Sequence, residues 1–297
     1  MSISAKLIAE NLTCWESEVV IEPLEGGMTN TNFKVCHKGE YYVVRIGTDI
    51  PEHGVMRFNE NAASLAAYKA GISPEVIHHE PGALVIRYIH GETLKAHDVR
   101  ENDTLTDILQ LLKTCHTEIP RHLRSAVLTF WVFQVNRFYL TTLSEIASNN
   151  KGFDKSELAR LMEINVQLES EVGKVNIVFC HNDLLASNII RTDKRLWLID
   201  WEYAGFNSPL FDLSNLAFNN GLSINQELEM LGSYFDCKVD EKFWRSYMAM
   251  KCASTLRETL WGMVSERYSK IVFDFKAYAK TNLTAFDQTY KQFLELD

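Results

Sequence analysis

HNDLLASN at residues 181–188, followed at 198–202 by LIDWE, is the stretch whose reading decides the fold. It sets Asp183, Asn188 and Asp200 close together between short apolar runs. Phosphoryl transfer needs that set: a carboxylate to orient a hydroxyl, and an amide and a second carboxylate to hold magnesium.

Asp183 is entered from IVFC, residues 177–180, a run that reads as a buried strand. A rigid strand feeding a short loop fixes a carboxylate at one point, which suits a catalytic base. Taken alone, Asp183 reads as an Asp capping a turn. Asn188 and Asp200 turn the reading toward catalysis. Asn188 begins the next strand, Asp200 ends the one after, and ThrAspLys at 192–194 makes the turn between them. The two ends then lie on the same side, where an amide oxygen and a carboxylate can both meet magnesium. His181 is read as holding the loop by hydrogen bonds rather than as a proton carrier.

Upstream, EGGMTNTNFKV at residues 25–35 lies between two strand-like runs. Gly26 and Gly27 would let backbone approach a phosphate closely. Thr29, Asn30, Thr31 and Asn32 add polar groups beside them. A plain hairpin turn is the alternative, and a Walker A pattern is absent. Arg45 ends an apolar strand and Glu60 lies in the helix that follows. An arginine there could contact phosphates while Glu60 orients it; two surface charges are the alternative.

Strand-like runs at 19–24, 32–36 and 41–46, a helix over 56–70 stopped by Gly71, and strands at 75–78 and 83–89 make residues 1–90 a strand-rich lobe. A short helix over 3–14 precedes them. From Asp98 the pattern is helical, with Leu105, Ile108, Leu109 and Leu112 on one face. Asp154 with Glu157, and Ser223 with Gln226, read as capping boxes. Residues 177–180 and 188–191 read as a strand pair. The lobes divide near Gly91.

With 297 residues, 46% hydrophobic and 23% charged, the chain is an ordinary globular protein. A formal charge of −9 argues against nucleic-acid or acidic-membrane partners. The six cysteines have no zinc spacing. No run is long and apolar enough to span a bilayer, and no signal-peptide core opens the chain. A cytoplasmic protein is expected. Oligomeric state cannot be read.

The ordered set resembles the kinase-like fold shared by choline/ethanolamine kinases, aminoglycoside phosphotransferases and bacterial thiamine kinases. HxDxxxxN is matched by His181, Asp183 and Asn188, and the following metal Asp by Asp200. LIDWEYAGFNSPLFDLSN at 198–215 is most similar to the choline kinase branch, with Glu202, Tyr203, Asn207, Phe211, Asp212 and Asn215 on its pattern. The resemblance implies an α+β, bilobal protein-kinase-like fold, with an antiparallel-sheet N-terminal nucleotide lobe (1–90) and a mostly helical C-terminal lobe (91–297). It implies an ATP- and magnesium-dependent kinase of a small alcohol. In it the loop from Gly26 to Asn32 would cover the phosphates, Arg45 would touch them, and backbone near Tyr88 and Ile89 would meet adenine. Glu202, Tyr203, Trp261 and Tyr278 fall where choline kinases hold the cation. Three positions depart from the family pattern: Val264 replaces a second Trp, Leu185 a Gln and Asn219 an acidic residue. Choline or ethanolamine is the expected substrate, with thiamine or an aminoglycoside as alternatives. A nucleotide-binding pseudokinase is the reading from a different class, and ATP against GTP stays open.

Overall fold

A computed structural model describes residues 4–24, 29–149 and 153–296, so Gly26 and Gly27 lie outside the described residues. The N-terminal part runs α1 (Ala5–Glu10), β1 (Val20–Leu24), β2 (Thr31–His37), β3 (Glu40–Ile46), α2 (Arg57–Lys69), β4 (Val76–Glu80) and β5 (Ala83–Arg87). Its five strands form one antiparallel sheet in the order β1-β2-β3-β5-β4. Along β2, Phe33, Val35 and His37 alternate inward, as a half-buried strand requires. With Val44 and Ile46 of β3 and with Ala9 and Leu12, Phe33 and Val35 close a small core of their own. The N-terminal helix is shorter than its apolar spacing suggests, ending at Glu10.

Helix α2 does not belong to that small core. Its buried alanines 63, 66 and 67 pack with Leu105, Ile108, Leu109 and Leu112 in the main core. Small side chains on that face let the two helices approach closely. Gly71, at φ +78°, ends α2 in the left-handed conformation that glycine adopts without strain.

The chain then passes through β6 (Glu92–Thr93), α3 (Ala96–Val99), α4 (Asn102–His122), α5 (Val132–Asn149), α6 (Lys155–Val172), β7 (Val178–Cys180), β8 (Ile189–Arg191), β9 (Leu196–Leu198) and β10 (Gly205–Asn207). Helices α7 (Pro209–Asn220), α8 (Ile224–Phe235), α9 (Glu241–Tyr268) and α10 (Phe275–Leu294) complete it. Gly91 stands at the crossing into this part. A Cβ there would come 2.4 Å from the Arg191 carbonyl oxygen, so only glycine lets β6 pair with β8. Helix α9 is buried on nearly every side from Tyr247 to Ser265 and packs against α5, α6, α7 and α10. A helix buried all round is one placed at the centre of its bundle.

The α+β division into an antiparallel sheet and a helical body follows the sequence expectation, with two corrections. The run at 177–180 does not pair with the run at 188–191. β7 pairs with β10, and β8 pairs with β9 and β6. Three-residue strands carry too little pattern to disclose their partners. Asp154 caps α6 through Ser156, but Glu157 reaches forward to Arg160 instead of closing the box. Ser223 and Gln226 do form their box. No helix among the described residues is long and apolar enough to cross a membrane.

Candidate active site

The loop after β7 is held from behind by the first turn of α7. Ser208 caps that helix and Pro209 opens it, the order a helix start favours. This sets Asp212 where its carboxylate accepts the backbone N–H of His181 at 2.9 Å and of Asn182 at 2.8 Å. His116 Nε2 approaches the same carboxylate at 2.9 Å, and its Nδ1 meets the Tyr234 hydroxyl at 2.6 Å. Burial alone would raise the Asp212 carboxyl. The His116 hydrogen bond and charge, with the backbone amides, hold it below the usual range instead. His116, Cys180 and Asp212 gather as metal ligands do. Both His116 nitrogens and both Asp212 oxygens already have partners, so the cluster works as a fixed hydrogen-bonded hub.

The loop itself takes an unusual path. Asn182 sits at φ +65° and Asp200 at φ +69°, positions that Asn and Asp tolerate better than most residues. Asn182 is pinned by donating to the carbonyls of Tyr203 and Gly205 and by accepting from Asn207. Leu184 N–H donates to Asn215 Oδ1 at 2.6 Å. His181 ties the loop to the β9 end through the Ile199 carbonyl at 2.9 Å, and its ring lies tilted against Trp201.

These braces bring Asp183, Asn188 and Asp200 to one cavity of about 230 Å³. Asn188 Nδ2 donates to the Asp183 carbonyl at 2.9 Å and to Asp183 Oδ2 at 3.2 Å. Its amide oxygen is therefore the atom left to take a cation. Burial pushes the Asp183 carboxyl up to about 8; the Arg257 charge opposes this, while Glu258, Asp200 and Glu202 add to it.

Arg45 and Glu60 are not surface charges, at 8% and 3% exposed. Arg45 Nη2 donates to Asp200 Oδ1 at 2.6 Å, its Nε lies 2.9 Å from Glu60 Oε1, and Glu202 stands 3.8 Å away. Arg57, which the sequence reading passed over, bonds Glu60 at 2.6 Å and Glu202 at 3.4 Å. Thr29 and Asn30 also donate to Glu202. Asn32 lies opposite Arg45 across the β2–β3 register. Thus Glu202, expected beside a substrate cation, has its carboxylate engaged by the Arg45–Arg57 cluster, although it still lines the cavity. Burial and Asp200 push it up to about 7, against the pull of Arg45. Tyr88 commits its N–H to the Tyr41 carbonyl. Tyr88 and Ile89 line a separate cavity with Arg191 and Trp197.

Tyr203, Trp261 and Tyr278 form the opposite wall. Trp261 Nε1 donates to the Tyr203 hydroxyl at 2.9 Å, and the Trp261 and Tyr278 rings are 5.7 Å apart. Val264, where the family has its second Trp, is fully buried in the main core. Two further residues of this wall escaped the sequence reading. Arg257 and Glu258 are 2% and 6% exposed and paired with each other. The Arg257 guanidinium lies over the Tyr203 ring at 4.5 Å, and Tyr278 donates to Glu258 Oε2 at 2.9 Å. Their signal was present in LRETLW: two opposite charges inside a run too apolar to face water.

A family model described as choline/ethanolamine kinase matches residues 21–252. The chain is 27% identical over 294 residues to Protein LicA of Haemophilus influenzae, covering 92% of this chain and 83% of that protein. It is 29% identical over 325 residues to ethanolamine kinase 2 of Mus musculus, covering 96% and 80%. A solved structure of a choline/ethanolamine kinase family protein from Mesorhizobium loti is similar at 27% identity with a TM-score of 0.74, covering 98% of this chain and 96% of that one.

Proposed function

We propose that this chain, which belongs to the choline/ethanolamine kinase family, transfers the terminal phosphoryl group of ATP to the hydroxyl of a small cationic alcohol, choline or ethanolamine. The observation that carries the reading is the meeting of Asp183, Asn188 and Asp200 at one cavity whose far wall is Tyr203, Trp261 and Tyr278. Residues 1–90 supply the nucleotide side and 91–297 the catalytic loop and the alcohol side.

Asp183, in its ionised form, orients the hydroxyl and accepts its proton as the oxygen attacks phosphorus. Its half-buried carboxylate and Asn188 brace hold one geometry, and positioning of this kind supplies much of the rate in phosphoryl transfer. The Asn188 amide oxygen and the Asp200 carboxylate are hard oxygen donors of the kind magnesium takes, and they would hold it. When bound, magnesium neutralises phosphate charge. Arg45 and Arg57, with Thr29, Asn30 and Asn32, form the phosphate side, and the sequence reading adds Gly26 and Gly27 to it. Binding ATP there requires Arg45 to exchange part of its Asp200 and Glu202 pairing for phosphate. Tyr88 and Ile89 present backbone to adenine. ATP is a cytoplasmic donor, so the cytoplasm is the compartment of the reaction. The aromatic faces of Tyr203, Trp261 and Tyr278 suit an organic cation.

The test is ADP release with magnesium and ATP against choline, ethanolamine, thiamine and an aminoglycoside, with Asp183→Ala as control. Asp183-dependent turnover of choline or ethanolamine is expected. Turnover of thiamine or the aminoglycoside alone would reassign the substrate. Nucleotide binding without turnover of any alcohol would favour the pseudokinase.

A further inference from the structure

The cavity wall holds a carboxylate that the reading above leaves without a task. Glu258 projects from α9 one turn before Trp261 and lines the same cavity as Asp183 and Tyr278. One of its oxygens accepts from Arg257 and the other from the Tyr278 hydroxyl at 2.9 Å. A carboxylate has about four lone-pair sites, and these two bonds occupy about half of them. The bonds also lock its rotamer, which a recognition group needs. Glu202, by contrast, already meets Thr29, Asn30, Arg45 and Arg57.

On the premise that the chain is an alcohol kinase as proposed above, we infer that Glu258 is the residue that binds the substrate's ammonium end and selects for N–H groups on it. A carboxylate held by two donors accepts further hydrogen bonds along fixed directions. An ammonium bearing hydrogens can fill them. A quaternary ammonium has none to offer and depends on aromatic faces and diffuse charge. Here that alternative is weakened twice: Val264 is buried in the core and adds no ring to the wall, and the Arg257 guanidinium already occupies one face of Tyr203 at 4.5 Å. Arg257 is a positioning residue: more deeply covered than Glu258, it fixes the carboxylate and cancels much of its charge. What remains is directional hydrogen bonding.

The test is kcat/KM across ethanolamine, its N-methyl and N,N-dimethyl derivatives, and choline, for the wild-type chain and Glu258→Gln. In the wild type kcat/KM falls with each methyl, by ~10-fold or more from first to last. Glu258→Gln lowers ethanolamine by ~10–100-fold and choline by less than ~3-fold, so the series flattens. The KM for ATP stays within about twofold of wild type. Should Glu258→Gln fail to fold, Tyr278→Phe removes only the hydroxyl holding Oε2 and shifts the series the same way by a smaller factor. Choline turned over as well as ethanolamine by the wild type, or one common factor lost across all four alcohols, would overturn the inference while leaving the kinase reading intact. A folded wild type that phosphorylates none of the four overturns both.

Discussion

Asp183→Asn should make the protein more stable while abolishing its chemistry, and the gain should depend on pH. In the folded chain the carboxyl is raised from its usual 3.8 to about 8, chiefly by burial. Between those values the folded state holds a proton that the unfolded state has released. Stability therefore falls as pH rises through that window. At about 1.36 kcal/mol per unit, the part of that window below pH 7 corresponds to roughly 4 kcal/mol. Asp183 is half-buried and faces a cavity wide enough for water. Partial hydration of that kind should reduce the effect to roughly 2 kcal/mol. Asparagine keeps an oxygen able to accept from Asn188 Nδ2 and has no ionisation to suppress. Thermal unfolding of wild type and variant at half-unit steps from pH 4 to 9 measures this. The two curves should meet near pH 4, diverge up to pH 8 and then run parallel, while kcat of the variant falls by ~10³-fold or more. A variant no more stable than wild type at pH 8, or an advantage largest at pH 4, would refute the reasoning.

Four further outcomes follow from the same geometry. Asp212→Asn puts an amide donor against two backbone donors and His116, and should cost about 3 kcal/mol in urea unfolding and ~10²-fold in kcat. Arg45→Met leaves Asp200 and Glu60 facing each other without their shared cation; it should raise the KM for ATP by ~10-fold or more and lower the melting temperature. Burial, with the Arg257 charge, pushes His53 down to about 3, so the unfolded state takes up its proton first and stability drops as pH falls from about 6.5 toward 3; His53→Gln should flatten that acid limb in a melting-temperature profile. Gly91→Ala drives a Cβ to 2.4 Å from the Arg191 carbonyl, and should destabilise by about 2 kcal/mol in denaturant unfolding.

The meeting of the triplet at one cavity was legible because its spacing is short. Asp183, Asn188 and Asp200 need only a strand–turn–strand to meet, and the sequence carries its turn residues openly. The long amphipathic pattern of α4 was legible for a similar reason, since each turn repeats the signal. What escaped depends on contacts distant in the chain. Asp212 braces a loop thirty residues upstream, and nothing local marks an aspartate in a first helical turn as more than a charge at the positive end. The partner of β7 is β10, and three residues cannot specify a register. Glu202 reads as a free carboxylate until Arg57, 145 residues away, is seen beside it. Arg257 and Glu258 could have been found, because a charged pair inside LRETLW in a long apolar helix has to be paired or functional.

The most direct test of the central claim is ³¹P NMR of the protein incubated with magnesium, ATP and ethanolamine. A phosphate monoester of the alcohol should grow in step with ADP for the wild-type chain and be absent for Asp183→Asn. ADP accompanied only by inorganic phosphate, or ester formed equally by the variant, would contradict a kinase that works through Asp183.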